Sequence, residues 1–391
     1  MKNTTYYLTH FKLNSEIFIK IETFLKHQFA YVNMVSRKLV LMVVTLVVAS
    51  LVLGCTGEKP PAAETKTPTP EAQTPKNWRW GTADPGSYGY RVISGVINNI
   101  KDDVPGYEFS INPYSSTTAA IKGFCKGEVE STYLADLGAR KLYDFTGPFE
   151  GFKSEVKQMP VQTFWAYTME TFLLTTEENA DKIKSWSDLD GKPVFMTPSG
   201  YMNHLNLRRA FAALGVEPQH VEVDSKFVCK ALEEGTIVAT GLYTTARVSL
   251  PTWGQELTIS CKGKLVPIKM TSEEIQKIEA AGYQVVEVDL SKVTDIKDTA
   301  HAVPFYFGYH ASVNMPEDAV YNLLKSVEKN ADRLTQVDPG LKPLVENVAE
   351  FQIGGIKSAD PNIMPIHPGL AKYLKEKGLW NSEWDEHIAK K

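Results

Sequence analysis

The chain has 391 residues, of which 42 are Lys or Arg and 46 are Asp or Glu, so its formal net charge is only −4. This balance argues against nucleic acid as a partner, because nucleic-acid-binding surfaces are strongly basic. The four cysteines form no Cys-x-x-Cys pair, which argues against a zinc site, and we predict neither a metal nor another cofactor.

A short apolar run near the start is typical of an export signal. The run at 39–53 follows a basic pair, Arg37 and Lys38, and ends in the sequence VLGC at Cys55. It is shorter than the roughly 20 residues of a membrane-spanning helix, but it suits the apolar part of a secretory signal. Its end resembles the cleavage site of lipoprotein signals. We therefore predict a signal peptide at 34–54 and lipidation of Cys55; an uncleaved anchor or an ordinary signal is the alternative.

The segments on either side of this signal are predicted to lie outside the folded part. Residues 1–33 are interpreted as the product of a wrongly assigned start codon, since a signal should stand at the beginning of a chain. Residues 56–76 contain no large apolar side chain, which predicts a disordered, extended tether. The segment 55–76 would hold the folded part outside the cell, anchored to the membrane through the lipid on Cys55.

The remaining residues, 77–391, are too many for one hydrophobic core and suit two lobes. Strand-like and helix-like stretches alternate through them, which predicts an α/β fold with largely parallel sheets. Helical stripes are predicted at 93–100, at 207–214 with Gly215 as the stop, and at 320–327 with a continuation to Leu334. The ten predicted strands are 78–83, 107–113, 129–135, 171–176, 193–197, 220–224, 236–244, 265–269, 284–290 and 303–313.

Three of these strands are followed by a short polar turn and then by a helix. The turns read TADPGSYGY, NPYSSTTAA and TPSGYMNHL, and Ser87, Ser116 and Ser199 are placed to cap the three helices. A helix N-terminus at the carboxyl end of a parallel strand has free N–H groups and a partial positive charge, which suit an anion. Because the pattern occurs three times, it favours a small anionic ligand over ordinary helix capping.

Tyrosines cluster at or near the same turns. Each offers an apolar ring and a hydroxyl group, which suits a short ligand with polar ends. The alternative is that these rings fill an interface between two lobes. The tyrosines concerned are Tyr88, Tyr90, Tyr114, Tyr201 and Tyr243.

Four segments resemble the TAXI family, the extracytoplasmic solute-binding proteins associated with TRAP transporters. They read DLDGKPVFMTPSGYMNHLNLRRAFAALGVE, NMPEDAVYNLLKSVEKNADRL, YSSTTAAIKGFCKGEVESTYLAD and, most specifically, MPIHPGLAKYLKEKGLW. The resemblance covers about residues 77–380. It implies a two-lobed, periplasmic-binding-protein-like (type II) fold, with hinge strands at TFLLTT and VPFYFGYHASV and a central ligand cleft. Lobe one would comprise 77–172 and 307–391, and lobe two 173–306.

The same resemblance implies a function. The lobes would close over a small organic anion, a carboxylate or amino acid of the glutamate-like or dicarboxylate kind, and the closed form would deliver it to the membrane subunits of a TRAP permease driven by an ion gradient. Two segments depart from the family pattern: the first turn, ADPGSYGY, has fewer glycines than the family's TGGTGG-YY, and GLYTTARV stands where the family has VGG-P. A solute other than the usual ones is therefore expected.

The predicted ligand contacts come from the three turns and from the segment after the strand at 236–244. Arg247 is the expected partner of a carboxylate, with Arg91 as the second choice. His367 is instead expected to open the C-terminal helix, with Pro368 at its first position. The full set of predicted ligand-binding residues is Ser87, Tyr88, Tyr90, Ser115, Ser116, Thr117, Ser199, Gly200, Tyr201, Tyr243 and Arg247.

The sequence contains none of the motifs G-x-S-x-G, H-E-x-x-H, a P-loop or a G-x-G-x-x-G after a strand, so we predict a binding protein and not an enzyme. The alternatives to a TRAP-associated protein are the binding protein of an ATP-driven (ABC) importer and a sensor that presents its ligand to a membrane receptor. For Cys125, Cys229 and Cys261 we favour reduced, buried thiols, with a disulfide between two of them as the alternative in an oxidising compartment.

Overall fold

The computed structural model describes residues 75–391. The segments predicted as a wrong start (1–33), a signal peptide (34–54) and a lipidated tether (55–76) therefore lie outside the described residues, except that Lys76 already begins the first strand. No helix within 75–391 combines the length and the apolar character needed to cross a membrane.

Strands and helices alternate along the described residues, and each of the ten predicted strands overlaps an observed one, which confirms their positions. The strands are β1 (Lys76–Thr82), β2 (Tyr107–Pro113), β3 (Ser131–Ala135), β4 (Phe164–Thr176), β5 (Pro193–Phe195), β6 (Gln219–His220), β7 (Ala239–Thr245), β8 (Leu265–Pro267), β9 (Val286–Asp289) and β10 (Thr299–Ala311). The helices are α1 (Tyr88–Ile100), α2 (Thr117–Cys125), α3 (Asp136–Tyr143), α4 (Glu177–Ala180), α5 (Met202–Leu214), α6 (Val228–Glu233), α7 (Thr252–Ser260), α8 (Ser272–Ala280), α9 (Glu317–Lys329), α10 (Ala331–Val337), α11 (Lys342–Ala359) and α12 (Pro368–Glu376).

The predicted helical stripes form the buried faces of α1, α5 and α9. Gly215 ends α5 in the left-handed conformation, with φ of 73°, which a glycine adopts without steric cost. The third stripe does continue to the buried Leu334, but across two helices, because α9 ends at Lys329 and α10 begins at Ala331. His367 accepts a hydrogen bond from the Gly369 amide and caps α12, as predicted.

The strands form one mixed sheet in the order β2-β1-β3-β10-β4-β7-β5-β6, with β8 beside β4 and β9 beside β10. Pairing is parallel at both ends, where β1 lies between β2 and β3 and where β5 lies between β6 and β7. Every pair that involves β4 or β10 is antiparallel. The prediction of largely parallel sheets is therefore wrong for the centre of the sheet.

The two long central strands connect the two ends of this sheet. β4 pairs with β10 over 164–171 and with β7 over 169–174. β10 pairs with β9 over 299–302 and with β3 over 307–311. We call the part built on β1, β2 and β3 the first lobe and the part built on β5, β6 and β7 the second lobe; β4 and β10 cross between them.

The hydrophobic core follows this division. One large cluster fills the first lobe around Trp78, Trp80 and Trp165. The second lobe has two clusters, and neighbouring residues such as Phe172 and Leu173 belong to different ones, because successive side chains of a strand point to opposite faces of the sheet. Met202 and Tyr243 of the second lobe pack into the first-lobe cluster, so the two lobes are in contact.

The second lobe contains a disulfide between Cys229 on α6 and Cys261 at the end of α7, with the Cα atoms 5.5 Å apart. Cys125 is free and buried, and burial raises its pKa to about 12, which keeps it protonated. The favoured prediction of three reduced cysteines is therefore wrong and its alternative is confirmed. Spacing alone could not select the pair, since the two residues are 32 positions apart.

Candidate functional site

The turn between β1 and α1 is capped as predicted. Ser87 accepts a hydrogen bond from the Tyr90 amide. The Tyr88 side chain is buried, and its hydroxyl donates to Asp338 at 2.6 Å. Burial, together with the Asp338 charge, raises the pKa of Tyr88 well above its ordinary value. The Tyr88 hydroxyl is therefore occupied by a protein carboxylate and its ring packs in the first-lobe core, whereas Tyr90 on α1 is half-buried.

Arg91 is already paired within the first lobe. A nitrogen of its guanidinium lies 2.8 Å from the second carboxylate oxygen of Asp338. The guanidinium carbon lies over the Tyr88 ring, 5.1 Å from the ring centroid. Asp338 also accepts from the Gly340 amide at 2.7 Å. The positive charge of the second-choice arginine is thus matched by a protein carboxylate.

The turn between β2 and α2 is also capped, by Ser116, which accepts from the Ala119 amide. Ser115 is exposed and Thr117 is buried. Tyr114 is directed elsewhere, since its hydroxyl donates to Glu128 at 2.9 Å. The predicted capping role holds for this turn, but its hydroxyl groups do not all face the same space.

The turn between β5 and α5 differs from the other two. Ser199 does not cap the helix: its amide and its hydroxyl both donate to Glu222, at 3.2 and 2.9 Å. The helix begins at Met202, three residues after Ser199, and no side chain caps its N-terminus. Gly200 has φ of 88°, a conformation that side-chain-bearing residues rarely adopt. The predicted capping role of Ser199 is therefore wrong, because the turn at Gly200 delays the start of α5. The first amide groups of the helix have no side-chain cap.

The second and third turns are in direct contact. Thr118 donates through its hydroxyl to the Gly200 carbonyl at 3.0 Å. A Cβ placed on Gly200 would lie 3.5 Å from the Cβ of Ser116. Tyr201 reaches the first turn as well, where its hydroxyl donates to Asp84. The structure thus brings all three turns of the sequence prediction together, two from the first lobe and one from the second.

The segment around the end of β7 contains the remaining predicted ligand contacts, Tyr243 and Arg247. Tyr243 is buried, and burial raises its pKa to about 12. Ala246 and Arg247 both have positive φ, 49° and 61°, and the turn is held by Glu170 on β4, which accepts from the Arg247 amide at 2.9 Å. The Arg247 side chain is exposed. Its predicted role as a carboxylate partner has no support from the contacts in the described residues.

Glu170 is a functional candidate that the sequence analysis missed. Its carboxylate is buried and accepts from the hydroxyls of Thr168 and Thr244, at 2.6 and 2.8 Å, besides the Arg247 amide. Burial raises its pKa above the ordinary value, and these hydrogen bonds oppose that shift. No local motif marks this residue, since it lies inside a strand of otherwise apolar and hydroxyl side chains.

Two buried threonines at the ends of second-lobe strands have hydroxyl groups without a partner in the described part of the chain. They are Thr197, after β5, and Thr245, at the end of β7. Thr245 lies against the first lobe: a Cβ on Gly340 would stand 2.6 Å from its methyl carbon and 2.4 Å from the Tyr88 hydroxyl. Buried polar groups are normally satisfied, so the Thr197 hydroxyl marks a place where a polar ligand could be bound. The Thr245 hydroxyl is near enough to the Tyr88 hydroxyl to affect its pKa, so it carries no such inference.

Within residues 75–391, no group of three His, Cys, Asp or Glu side chains is arranged to hold a metal ion. The residues that meet in the cleft are hydroxyls, tyrosine rings, backbone amides and a few charges. This chemistry suits recognition of a small polar molecule by hydrogen bonds.

The family model described as NMT1-like matches residues 81–378, which is most of the chain. The chain belongs to the NMT1-like family. Comparison of this NMT1-like chain with curated proteins returns no significant match.

Solved structures with a similar fold include several binding proteins. The periplasmic aliphatic sulphonate binding protein SsuA from Escherichia coli is 14% identical, covers 78% of this chain and 90% of its own, and has a TM-score of 0.40. MatC from Rhodopseudomonas palustris with bound malate is 13% identical; the alignment covers 81% of this chain and 100% of MatC, with a TM-score of 0.43. A putative sulfonate ABC transporter protein, the periplasmic sulfonate-binding protein SsuA from Methylobacillus flagellatus, is 14% identical, with 78% and 96% coverage and a TM-score of 0.44.

The described residues of the NMT1-like chain form a two-lobed α/β architecture, which confirms the predicted fold class. For this chain the assignment rests on its own strand order, with two lobes joined by β4 and β10. The narrower assignment to the TAXI family stays a prediction.

Proposed function

We propose that this protein is an extracytoplasmic solute-binding protein that captures a small organic acid between its two lobes and delivers it to a membrane permease. One observation carries the proposal: three strand-to-helix turns from two lobes lie in contact, joined by the Thr118–Gly200 and Tyr201–Asp84 hydrogen bonds. Contacts of this kind from both lobes to one ligand would favour the closed arrangement. The proposal is one of binding without turnover.

The acidic end of the solute is best placed at the N-terminus of α5. This helix has 13 residues and begins without a side-chain cap, so the amides of its first turn are available to an oxygen of the ligand. The unpartnered hydroxyl of Thr197 lies in the same turn. A carboxylate and a sulfonate would both fit such donors, and the proteins reported above include one with bound malate and a sulfonate-binding protein.

The disulfide supports a location outside the cytoplasm. Disulfides such as Cys229–Cys261 form and persist in oxidising compartments. The predicted signal peptide and lipid anchor at Cys55 lead to the same location and remain part of the proposal.

For the permease we propose an ATP-driven importer, the alternative of the sequence analysis, before the TRAP permease that the sequence motifs suggested. The NMT1-like family assignment favours this choice. Solute uptake by cells that carry the protein separates the two, because an ATP-driven importer continues when the ion gradient is collapsed and stops when ATP is depleted. Loss of uptake with the gradient while ATP is maintained would instead support the TRAP permease.

Thermal unfolding in the presence of organic acids tests the binding function. A solute that binds only the folded protein raises its stability by about 2.7 kcal/mol at a hundredfold excess over Kd, which shifts the unfolding temperature by several degrees. The panel should contain mono- and dicarboxylates, amino acids and alkanesulfonates. A panel in which no compound shifts the transition would refute the proposal.

A matched pair of glycine variants locates the site. Gly200 and Gly215 stand before and after α5, with φ of 88° and 73°, so Gly200→Ala and Gly215→Ala each cost about 1 kcal/mol of stability. Only Gly200→Ala should weaken solute binding, because Gly215 lies at the far end of the helix. Equal effects of the two variants on affinity would exclude the α5 N-terminus as the binding site.

A further inference from the structure

We propose that Asp84 is the specificity-determining residue of the cleft and that its carboxylate receives a positively charged nitrogen of the solute. The inference rests on the proposed function and narrows its ligand from an organic acid to a zwitterion, an acid that also carries an ammonium or amidinium group. Asp84 belongs to the first turn, between β1 and α1, and was not among the residues expected to bind ligand.

The Asp84 carboxylate has spare hydrogen-bonding capacity. One of its oxygens accepts from the Gly86 amide at 3.0 Å and the other from the Tyr201 hydroxyl. An ionised carboxylate offers about four acceptor sites, so these two donors leave room for others. The residue is half-buried, and a ligand in the cleft can therefore reach it.

The charge of Asp84 is unmatched, unlike that of its neighbour. Asp338, on the other side of the first turn, is neutralised by Arg91 at 2.8 Å. Asp84 forms no ion pair with any Lys, Arg or His of residues 75–391; its partners are an amide and a phenol. An unpaired carboxylate in a closing cleft repels a simple dianion and attracts a cation, and the attraction grows as water is excluded.

Tyrosine rings complete a cation-binding environment. The Tyr201 side chain contacts Asp84 directly. Burial and then the Asp84 carboxylate raise the pKa of Tyr201. Burial raises the pKa of Tyr243; of the two charges that act on it, Arg91 lowers the pKa and Asp84 raises it by less. The faces of tyrosine rings attract cations, and a ring beside a carboxylate is a common environment for a substituted ammonium group.

Matched pairs of acids test the proposal on the purified protein. Each pair differs only by an amino group: 5-aminovalerate and valerate, taurine and ethanesulfonate, glutamate and glutarate. Titration calorimetry should show at least tenfold tighter binding of the amino member in a pair that binds. The variant Asp84→Asn keeps the acceptor for the Gly86 amide and should abolish that preference, whereas Asp102→Asn, at an exposed position of the same lobe, should leave it unchanged.

The outcomes separate this inference from the function on which it rests. Equal affinities within each pair, or binding confined to the acids without nitrogen, would overturn the role of Asp84 and leave the solute-binding function standing. A preference for amino members that survives Asp84→Asn would overturn it as well. If no member of any pair binds, both this inference and the proposed ligand class fail.

Discussion

The Cys229–Cys261 disulfide should contribute strongly to the stability of the second lobe. It closes a loop of 32 residues and joins α6 to α7, and both sulfur-bearing residues lie in the same buried cluster. The chain-entropy relation gives about 4 kcal/mol at 25 °C for a loop of this length, because the bond restricts the unfolded chain. This is a large part of the roughly 5–15 kcal/mol by which a domain is stable.

The perturbation is the double variant Cys229→Ala/Cys261→Ala, compared with the unchanged protein in urea. Trp253 on α7 reports on the lobe by fluorescence. Dithiothreitol should destabilise the unchanged protein by a similar amount and leave the double variant unaffected. The matched control is Cys125→Ala, which removes a buried thiol that forms no disulfide and should not alter the sensitivity to dithiothreitol.

The reasoning would be refuted if reduction and the double variant both left the urea midpoint unchanged. Thiol alkylation of the unfolded, unreduced protein gives a second check, since Cys125 should be modified while Cys229 and Cys261 are protected. Modification of all three would show that the bond does not form.

Two further outcomes are expected. Burial lowers the pKa of His310 to about 3, so below the unfolded-state value near 6.5 the unfolded chain binds a proton that the folded chain excludes. This group should therefore lower the stability by about 1.4 kcal/mol per pH unit as pH drops from 6.5 towards 3. His367, with its pKa lowered to about 4, adds to the same slope, so His310→Gln should lessen the slope of urea-derived stability profiles without abolishing it. An unchanged slope would contradict this. Tyr201→Phe removes the hydroxyl that reaches Asp84 and should speed amide hydrogen exchange in the first turn and at the start of α5, while global stability changes by only about 1 kcal/mol; exchange identical to that of the unchanged protein would show that this bond does not hold the lobes together.

The positions of the strands could be predicted because each is a short apolar or β-branched run bounded by turn residues. Their directions could not. The prediction of parallel pairing assumed that every strand is followed by a helix that returns to the same edge of the sheet. β4 and β10 violate that assumption, since each crosses from one lobe to the other and is antiparallel to its neighbours.

The candidate site was predicted in outline and missed in detail for a related reason. The capping roles of Ser87 and Ser116 each depend on the amide three positions further along the chain, and both are confirmed. The Tyr88–Asp338 contact joins residues 250 positions apart, and no local pattern indicates it. Arg247 was chosen for its charge, but its side chain is exposed and its backbone has positive φ. Positive φ is uncommon for residues other than glycine, so the sequence does not predict it here.

The contact between Tyr201 and Asp84 links closure of the lobes to the charge of the solute. The carboxylate belongs to the first lobe and the tyrosine to the second, so their hydrogen bond exists only when the lobes meet. A cationic group that approaches Asp84 would match the charge of this carboxylate while the Tyr201 hydroxyl still donates to it. A solute without that group would leave the charge unmatched as water is excluded on closure, which costs free energy. Selection of the solute and closure over it would then depend on the same carboxylate.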